Sequence, residues 1–236
     1  MALPQIEVPK YTVTLPSTGE DLVMRPYLVK EEKVLLLALE SQDPQQKASA
    51  IQNLIKNCIE TESDFNKWTN FDIEKLFLEL RAISVGETVT ILANCQHCEE
   101  KNEVSINLKE VELSDYDPNA HIIKLTESVG VTMRYPTSEL VSKLANLEKL
   151  DSIEGLMELI VASVKTIFTD DEVFNCSEDN IEETRNFVEG LTTEQFTKIG
   201  QFFNNMPMLV HNLEFTCSEC GKDNKIELRG LSSFFT

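Results

Sequence analysis

Two short cysteine pairs, separated by about half the chain, place the strongest constraint on how this protein can fold. Cys95 and Cys98 form the first C-x-x-C pair, and Cys217 and Cys220 form the second. A C-x-x-C turn holds two thiolates at the spacing of two ligands of a tetrahedral zinc ion, so two such turns complete a four-cysteine site. The sequence therefore predicts one structural zinc ion per chain, bound jointly by the two pairs.

Redox catalysis and an empty, reduced turn are the alternative interpretations of these pairs. A redox C-x-x-C begins a helix that follows a strand, where the helix dipole lowers a thiol pKa. Here polar turn residues and a second strand pattern follow each pair, which disfavours a thioredoxin-like site. Metal-free cysteines remain open as an alternative because Glu99 stands where the second pair has Gly221, and glycine suits the left-handed backbone of a metal-binding turn.

The composition indicates a folded, acidic protein that does not bind nucleic acid. The 236 residues include 40 acidic and 21 basic side chains, a net charge of -19, whereas phosphate backbones are bound by cationic side chains. The first ten residues lack a signal peptide pattern, and no uncharged run approaches the roughly 20 residues that span a bilayer. We therefore expect no membrane partner and a reducing, cytoplasm-like compartment, in which the six cysteines are thiols or metal ligands.

The sequence offers few candidates for catalysis. It contains no glycine-rich phosphate loop, nucleophile elbow, H-E-x-x-H motif or paired-carboxylate signature, so we expect neither an enzyme nor a small-molecule substrate. His97 lies inside the first cysteine pair and is expected to be exposed, while His121 and His211 fall on different elements. Cys58 lies on an apolar helix face and is expected to be a buried thiol. Cys176 has no assigned role.

The hydrophobic pattern predicts an α+β fold. Alternating segments on both sides of the turn at 17–19 predict an opening β-hairpin. Helical spacing then predicts three helices, in residues 31–41, 47–60 and 71–83. Strand patterns flank the first cysteine pair. The second half repeats this order, with a strand in 128–135, and apolar spacing predicts that 153–168 is helical. A capping box at Thr192 and Gln195 then predicts a further helix before the second pair.

A constant offset relates the two cysteine hairpins. Adding 122 to Cys95, Cys98, Asn102, Val104 and Ile106 gives Cys217, Cys220, Asn224, Ile226 and Leu228. Upstream, Met24 corresponds to Met133 at an offset of 109, which implies about 13 inserted residues in the second copy, expected near 169–180. We predict an internal duplication with repeat units 1–115 and 116–236, which could pack as one domain. Convergent patterning of two α+β segments is the alternative.

Two longer segments carry a family resemblance. The sequences LPSTGEDLVMRPYLVKEEKVLLLALES at 15–41 and FDIEKLFLELRAISVGETV at 71–89, followed by CQHC and CSEC, closely resemble the T4-type bacteriophage baseplate hub protein family. The resemblance covers nearly the whole chain. It implies a structural protein that is assembled in the host cytoplasm, binds other hub proteins in the baseplate of a contractile tail, and has no catalytic residues.

Two questions remain open at this level. The alternative function is that of an acidic zinc-ribbon adaptor in nucleic-acid or transcription machinery, which the net charge disfavours. The second question concerns the aromatic residues Phe234 and Phe235 beyond the last strand pattern. They are expected either to pack on the protein's own core or to form a docking tail, and the first arrangement is the more common one.

Overall fold

The computed structural model describes residues 6–41, 43–115, 121–146 and 152–234. Within these ranges the chain mixes α-helices with small antiparallel sheets, which confirms the predicted combination of helix and sheet. Two compact units are formed. The first unit contains Met1–Ser114 and Met208–Thr236, and the second unit contains Asp115–Pro207. The predicted repeat units 1–115 and 116–236 are a division by sequence similarity, and they stay a prediction.

The elements follow one another along the chain with short connections. The described strands are β1 (Tyr11–Thr14), β2 (Asp21–Met24), β3 (Thr88–Asn94), β4 (Lys101–Asn107), β5 (Glu112–Leu113), β6 (Ile122–Lys124), β7 (Val129–Met133), β8 (Val164–Thr169), β9 (Val173–Asn175), β10 (Leu209–Thr216) and β11 (Asp223–Arg229). The described helices are α1 (Val29–Leu39), α2 (Pro44–Cys58), α3 (Asn70–Ser84), α4 (Ser138–Asn146), α5 (Ile153–Ser163), α6 (Ile181–Glu189) and α7 (Thr193–Asn204). Single 3₁₀ turns lie at Phe65–Lys67, Leu108–Glu110, Glu178–Asn180 and Leu231–Phe234.

The start of α3 is tied to the opening hairpin by one buried carboxylate. Asp72 accepts hydrogen bonds from the backbone N–H and the hydroxyl of Thr69, at 2.8 and 2.7 Å. It also accepts a 2.8 Å bond from the backbone N–H of Ser17 in the turn between β1 and β2. The side chain is fully buried, and burial of a carboxylate is tolerated when several donors satisfy it. The capping box thus fixes both the first turn of the helix and the position of the hairpin.

Two long hairpins complete the first unit. Strands β3 and β4 pair antiparallel, as do β10 and β11, and β5 adds a third strand at the edge of β10. One apolar cluster supports both hairpins and includes Ile91, Ile106 and Leu213. Phe234 belongs to this cluster and is completely buried, so its ring packs on the protein's own core. Phe235 lies outside the described residues.

The second unit contains a four-stranded sheet with the order β6-β7-β8-β9. The prediction that residues 153–168 are helical throughout was wrong, because α5 ends at Ser163 and Val164 begins β8. The segment VKTIFT is rich in β-branched and aromatic side chains, and its backbone pairs with β7 on one side and β9 on the other. Apolar spacing in a short segment cannot reveal such partners, since the partner strands are supplied by tertiary structure.

Alanine at Gly130 is expected to destabilise the second unit by about 2 kcal/mol, because the new methyl group overpacks the sheet. A Cβ at this position would overlap Cζ of Phe168 and would lie 2.9 Å from the carbonyl oxygen of Ile123. Urea unfolding followed by far-UV circular dichroism measures the effect. Gly200→Ala in α7 is the control, since nothing lies within 4 Å of its Cβ and helix propensity predicts a gain of about 0.5–1 kcal/mol. Equal effects of the two substitutions would contradict the overpacking argument.

Candidate metal centre

All four predicted cysteines lie together where the two long hairpins turn. Their sulfur atoms lie within 4.8 Å of one another. The Sγ atoms of Cys95 and Cys220 are 3.7 Å apart, and so are those of Cys98 and Cys217. A regular tetrahedron with zinc–sulfur bonds of about 2.3 Å has edges of about 3.8 Å. The cluster therefore has the donor type, number and spacing to hold one four-coordinate metal ion.

Both pairs lie in the same kind of tight turn. In the first turn, the N–H of Cys95 donates to the carbonyl of Glu100 at 2.8 Å, and the N–H of Glu99 donates to the carbonyl of Cys95 at 3.0 Å. The second turn repeats both bonds at the equivalent positions. Glu99 has a φ of 63° and Gly221 a φ of 68°. Glu99 thus adopts the left-handed conformation at a cost of about 1 kcal/mol, and the missing glycine does not change the turn.

Backbone N–H groups of these turns favour the thiolate forms of Cys95 and Cys217, and the thiolate is the form in which cysteine binds a metal. The N–H of Cys220 is the main cause that lowers the pKa of Cys217. Desolvation opposes ionisation of Cys95, but the N–H groups of His97 and Cys98 donate to its sulfur and lower its pKa to about 6. The backbone nitrogen of His97 lies 3.4 Å from the Cys95 sulfur. Such donors are typical of the outer shell of cysteine-bound metals.

Two asparagines, which the sequence matches at the offset of 122 without indicating a role for them, contact the cysteine turns. Asn102 on β4 accepts a 2.8 Å hydrogen bond from the N–H of Ser218 in the opposite turn. Asn224 on β11 accepts a 2.8 Å bond from the N–H of Gln96, again in the opposite turn. Both side chains are buried. The sequence signal that could have found them is the retention of asparagine at the offset of 122.

Comparison with known protein families identifies the chain. The family described as T4 bacteriophage base plate protein matches residues 8–236, which is nearly the whole sequence. The chain belongs to this family. No curated protein and no solved structure matches it. Membership confirms the resemblance seen in the sequence, and it implies a structural role in the phage baseplate, a place in the virion tail and contacts with other tail proteins.

The other histidines and cysteines of this baseplate protein are not among the four clustered thiols. His97 is exposed, as expected, and its Nε2 lies 3.3 Å from the carbonyl oxygen of Asp223. Cys58 is buried, as expected, and burial raises its pKa to about 11. Cys176 is half-buried in the second unit, and His211 lies on β10.

The described helices of the baseplate protein have at most 15 residues. Over the described part of the chain, none of them combines the length and the apolar character needed to cross a membrane.

Proposed function

We propose that this protein is a structural subunit of the baseplate hub of a contractile phage tail, and that it carries one structural zinc ion. Cys95, Cys98, Cys217 and Cys220 are the ligands. The protein binds other hub proteins, catalyses no reaction and is assembled in the host cytoplasm. The observation that carries this proposal is that four sulfur atoms lie within 4.8 Å of one another in a chain that matches a baseplate family over residues 8–236.

The zinc ion would connect segments that are distant in sequence. Cys98 and Cys217 are 119 residues apart, so one ion would close a loop of about half the chain. Cross-links that close long loops reduce the entropy of the unfolded chain most strongly. A subunit that must present a fixed surface to neighbouring tail proteins benefits from such a closure, since less ordering remains when the partner binds.

The proposed internal duplication is supported by equivalent contacts in the two halves. The N–H of Arg25 donates to the carbonyl of Cys58 at the end of α2, at 2.9 Å. Arg134 donates in the same way to Ser163 at the end of α5, at 2.7 Å. The methionines that precede these arginines also correspond. Met24 pairs with Ile59, which follows α2, and Met133 pairs with Val164, which follows α5. These shared details favour repeat units 1–115 and 116–236 over convergent patterning.

The same comparison applies to the cysteine hairpins, which we propose are zinc-ribbon-like. The N–H of Leu108 donates to the carbonyl of Glu87 at 2.7 Å. The residues 122 positions later make the same bond, since the N–H of Gly230 donates to the carbonyl of Leu209 at 2.9 Å. A 3₁₀ turn follows in both cases. The proposed zinc ion therefore joins the terminal hairpin of one repeat to that of the other. Both hairpins lie in the first unit.

The insertion in the second repeat follows from the positions of matched elements. Ile59 and Val164 pair with equivalent methionines and are 105 positions apart, whereas the capping residues Thr69 and Thr192 are 123 positions apart. The second repeat thus gains 18 residues between these points. With a loss of four residues before them and one after them, the net gain is the 13 residues by which the offsets of 109 and 122 differ. The extra length accommodates β9 and α6, and it includes the range 169–180 in which the insertion was expected.

Complementation of a phage that lacks this gene tests the hub assignment. Plasmid-borne wild type is expected to restore infectious particles and to co-purify with hub proteins in tail-assembly intermediates. Cys217→Ser is expected to lower the titre at least about 100-fold, because the metal site is lost. Cys176→Ser in the second unit is the control and is expected to complement fully. Full complementation by Cys217→Ser, or absence of the protein from hub intermediates, would contradict the proposal.

A further inference from the structure

The cysteine cluster is held by more than its sulfur atoms. We propose that Asn102 and Asn224 form a reciprocal lock, in which each asparagine on one hairpin positions the cysteine turn of the opposite hairpin. The part of this inference that concerns the metal rests on the proposed zinc site. The part that concerns the two turns does not, because it depends on hydrogen bonds that are present without an ion.

The amide of Asn102 has its donors and acceptor occupied. Its Oδ1 accepts from the backbone N–H of Ser218 at 2.8 Å and from the Ser218 hydroxyl at 3.0 Å. Its Nδ2 donates to the carbonyl of Glu100 at 2.9 Å, within its own hairpin. The same nitrogen lies 3.7 Å from Sγ of Cys217, a proposed ligand on the opposite hairpin. Asn102 thus bridges its own turn and the other one.

Asn224 makes the equivalent contacts in the reverse direction. Its Oδ1 accepts from the backbone N–H of Gln96 at 2.8 Å, and its Nδ2 donates to the carbonyl of Lys222 at 3.0 Å. A surface that contacts its counterpart reciprocally is the pattern of a twofold interface. Here that interface lies between two segments of one chain.

Asparagine meets the hydrogen-bonding requirements of both positions. Asn102 and Asn224 are 7% and 1% exposed, so each polar atom needs a partner. Aspartate would keep the acceptor, but it would lose the two N–H donors and place a negative charge beside the thiolates. Alanine would leave the N–H groups of Ser218 or Gln96 without their acceptor. These hydrogen-bonding requirements explain why asparagine occupies both positions that the offset of 122 relates.

The lock assembles the site before the ion binds. Outer-shell hydrogen bonds orient ligands, and their loss costs about 10- to 100-fold in metal affinity. Because each asparagine acts on the opposite turn, a substitution in one hairpin is expected to loosen the cysteine turn of the other. A residue that merely packs locally would disturb its own hairpin instead. This crosswise effect distinguishes positioning from a general structural role.

Cobalt binding tests the metal part of the lock. Co²⁺ is titrated into reduced, metal-stripped full-length protein, and Zn²⁺ affinity is then measured by competition with a colorimetric chelator. Asn102→Ala and Asn224→Ala are each expected to weaken binding about 10- to 100-fold. The sulfur-to-cobalt charge-transfer band is expected to move to longer wavelength, because the sulfur loses a hydrogen-bond donor. Asn212→Ala, an exposed asparagine on β10, is the matched control and is expected to change neither quantity.

Amide hydrogen exchange in the metal-free protein tests the turns directly. The Ser218 amide is expected to exchange slowly in the wild type and at least about 10-fold faster in Asn102→Ala, since its acceptor is gone. Gln96 is expected to respond in the same way to Asn224→Ala. If Asn102→Ala does not fold, Asn102→Asp replaces it and is expected to retain protection of Ser218 while losing metal affinity.

The outcomes separate the two proposals. Wild-type affinity and an unshifted band in both alanine variants, with protection of Ser218 and Gln96 unchanged, overturn the lock. A wild type that binds no Co²⁺ or Zn²⁺ overturns the zinc site. In that case, faster exchange of the Ser218 amide in Asn102→Ala and of the Gln96 amide in Asn224→Ala still supports the lock as a connection between the hairpins. Unchanged exchange of both amides overturns the lock as well.

Discussion

Serine in place of Cys217 is expected to abolish zinc binding and to lower the Tm of the first unit by about 10 °C. The substitution removes one of four thiolates and so opens a site whose ligands come from segments 119 residues apart. In entropic models, loss of a cross-link around a loop of that length lowers the free energy of unfolding by several kcal/mol. The Tm of a domain of this size changes by about 2–4 °C for each kcal/mol of unfolding free energy. Zinc content by elemental analysis and thermal unfolding followed by Trp68 fluorescence measure the two effects.

Two controls make the zinc result specific. Cys176→Ser changes a half-buried thiol in the second unit and is expected to leave one zinc per chain. Chelation of the wild type is expected to reproduce the lower Tm of Cys217→Ser and to leave that variant unchanged. A carefully purified wild type without zinc would show that packing alone holds the two hairpins together.

Methionine in place of Arg25 is expected to lower the free energy of unfolding by about 3 kcal/mol. The guanidinium forms two hydrogen bonds with Glu31, at 2.8 and 3.0 Å, and another at 2.8 Å with the carbonyl of Asn57. The Glu31 side chain is only 9% exposed, so loss of the partner leaves a largely buried charge unpaired. Urea unfolding followed by Trp68 fluorescence measures the change, because Trp68 packs in the same core.

The matched control for this ion pair lies in the second unit. Arg185 contacts both carboxylate oxygens of Glu158, at 3.1 and 3.2 Å, but the two side chains are more exposed than those of Arg25 and Glu31. Exposed pairs contribute at most about 1 kcal/mol, so Arg185→Met is expected to have a small effect. Equal losses in the two variants would show that burial is not what makes the Arg25 pair important.

The Arg25 effect is expected to diminish in acid. The hydrogen bond from Arg25 is the main cause that lowers the pKa of Glu31 below its ordinary value of 4.5. Since the folded pKa is below the unfolded one, the stabilisation is complete above the unfolded pKa and is lost as the pH falls through the folded pKa. The difference in unfolding free energy between wild type and Arg25→Met should therefore shrink between pH 7 and pH 3. A constant difference would assign the effect to packing alone.

Local signals in the sequence predicted much of the fold. The opening hairpin, the helices of the first unit and the capping box at Thr192 follow from apolar spacing and short-range hydrogen bonds, which are properties of neighbouring residues. Residues 164–169 escaped this reasoning because their strand depends on partners in β7 and β9. The division into compact units also depends on long-range contacts, since β10 and β11 join the first unit across an intervening unit.

The sequence by itself determined the four cysteines of the candidate metal site and the family of the chain. Thiol chemistry and the spacing within each C-x-x-C turn are local, so they can be recognised without knowledge of the fold. Only the tertiary structure decided that Cys95 lies beside Cys220, and that Asn102 and Asn224 contact the opposite turns. Those contacts join residues more than 110 positions apart, and their geometry follows from how the two hairpins pack on a shared apolar core.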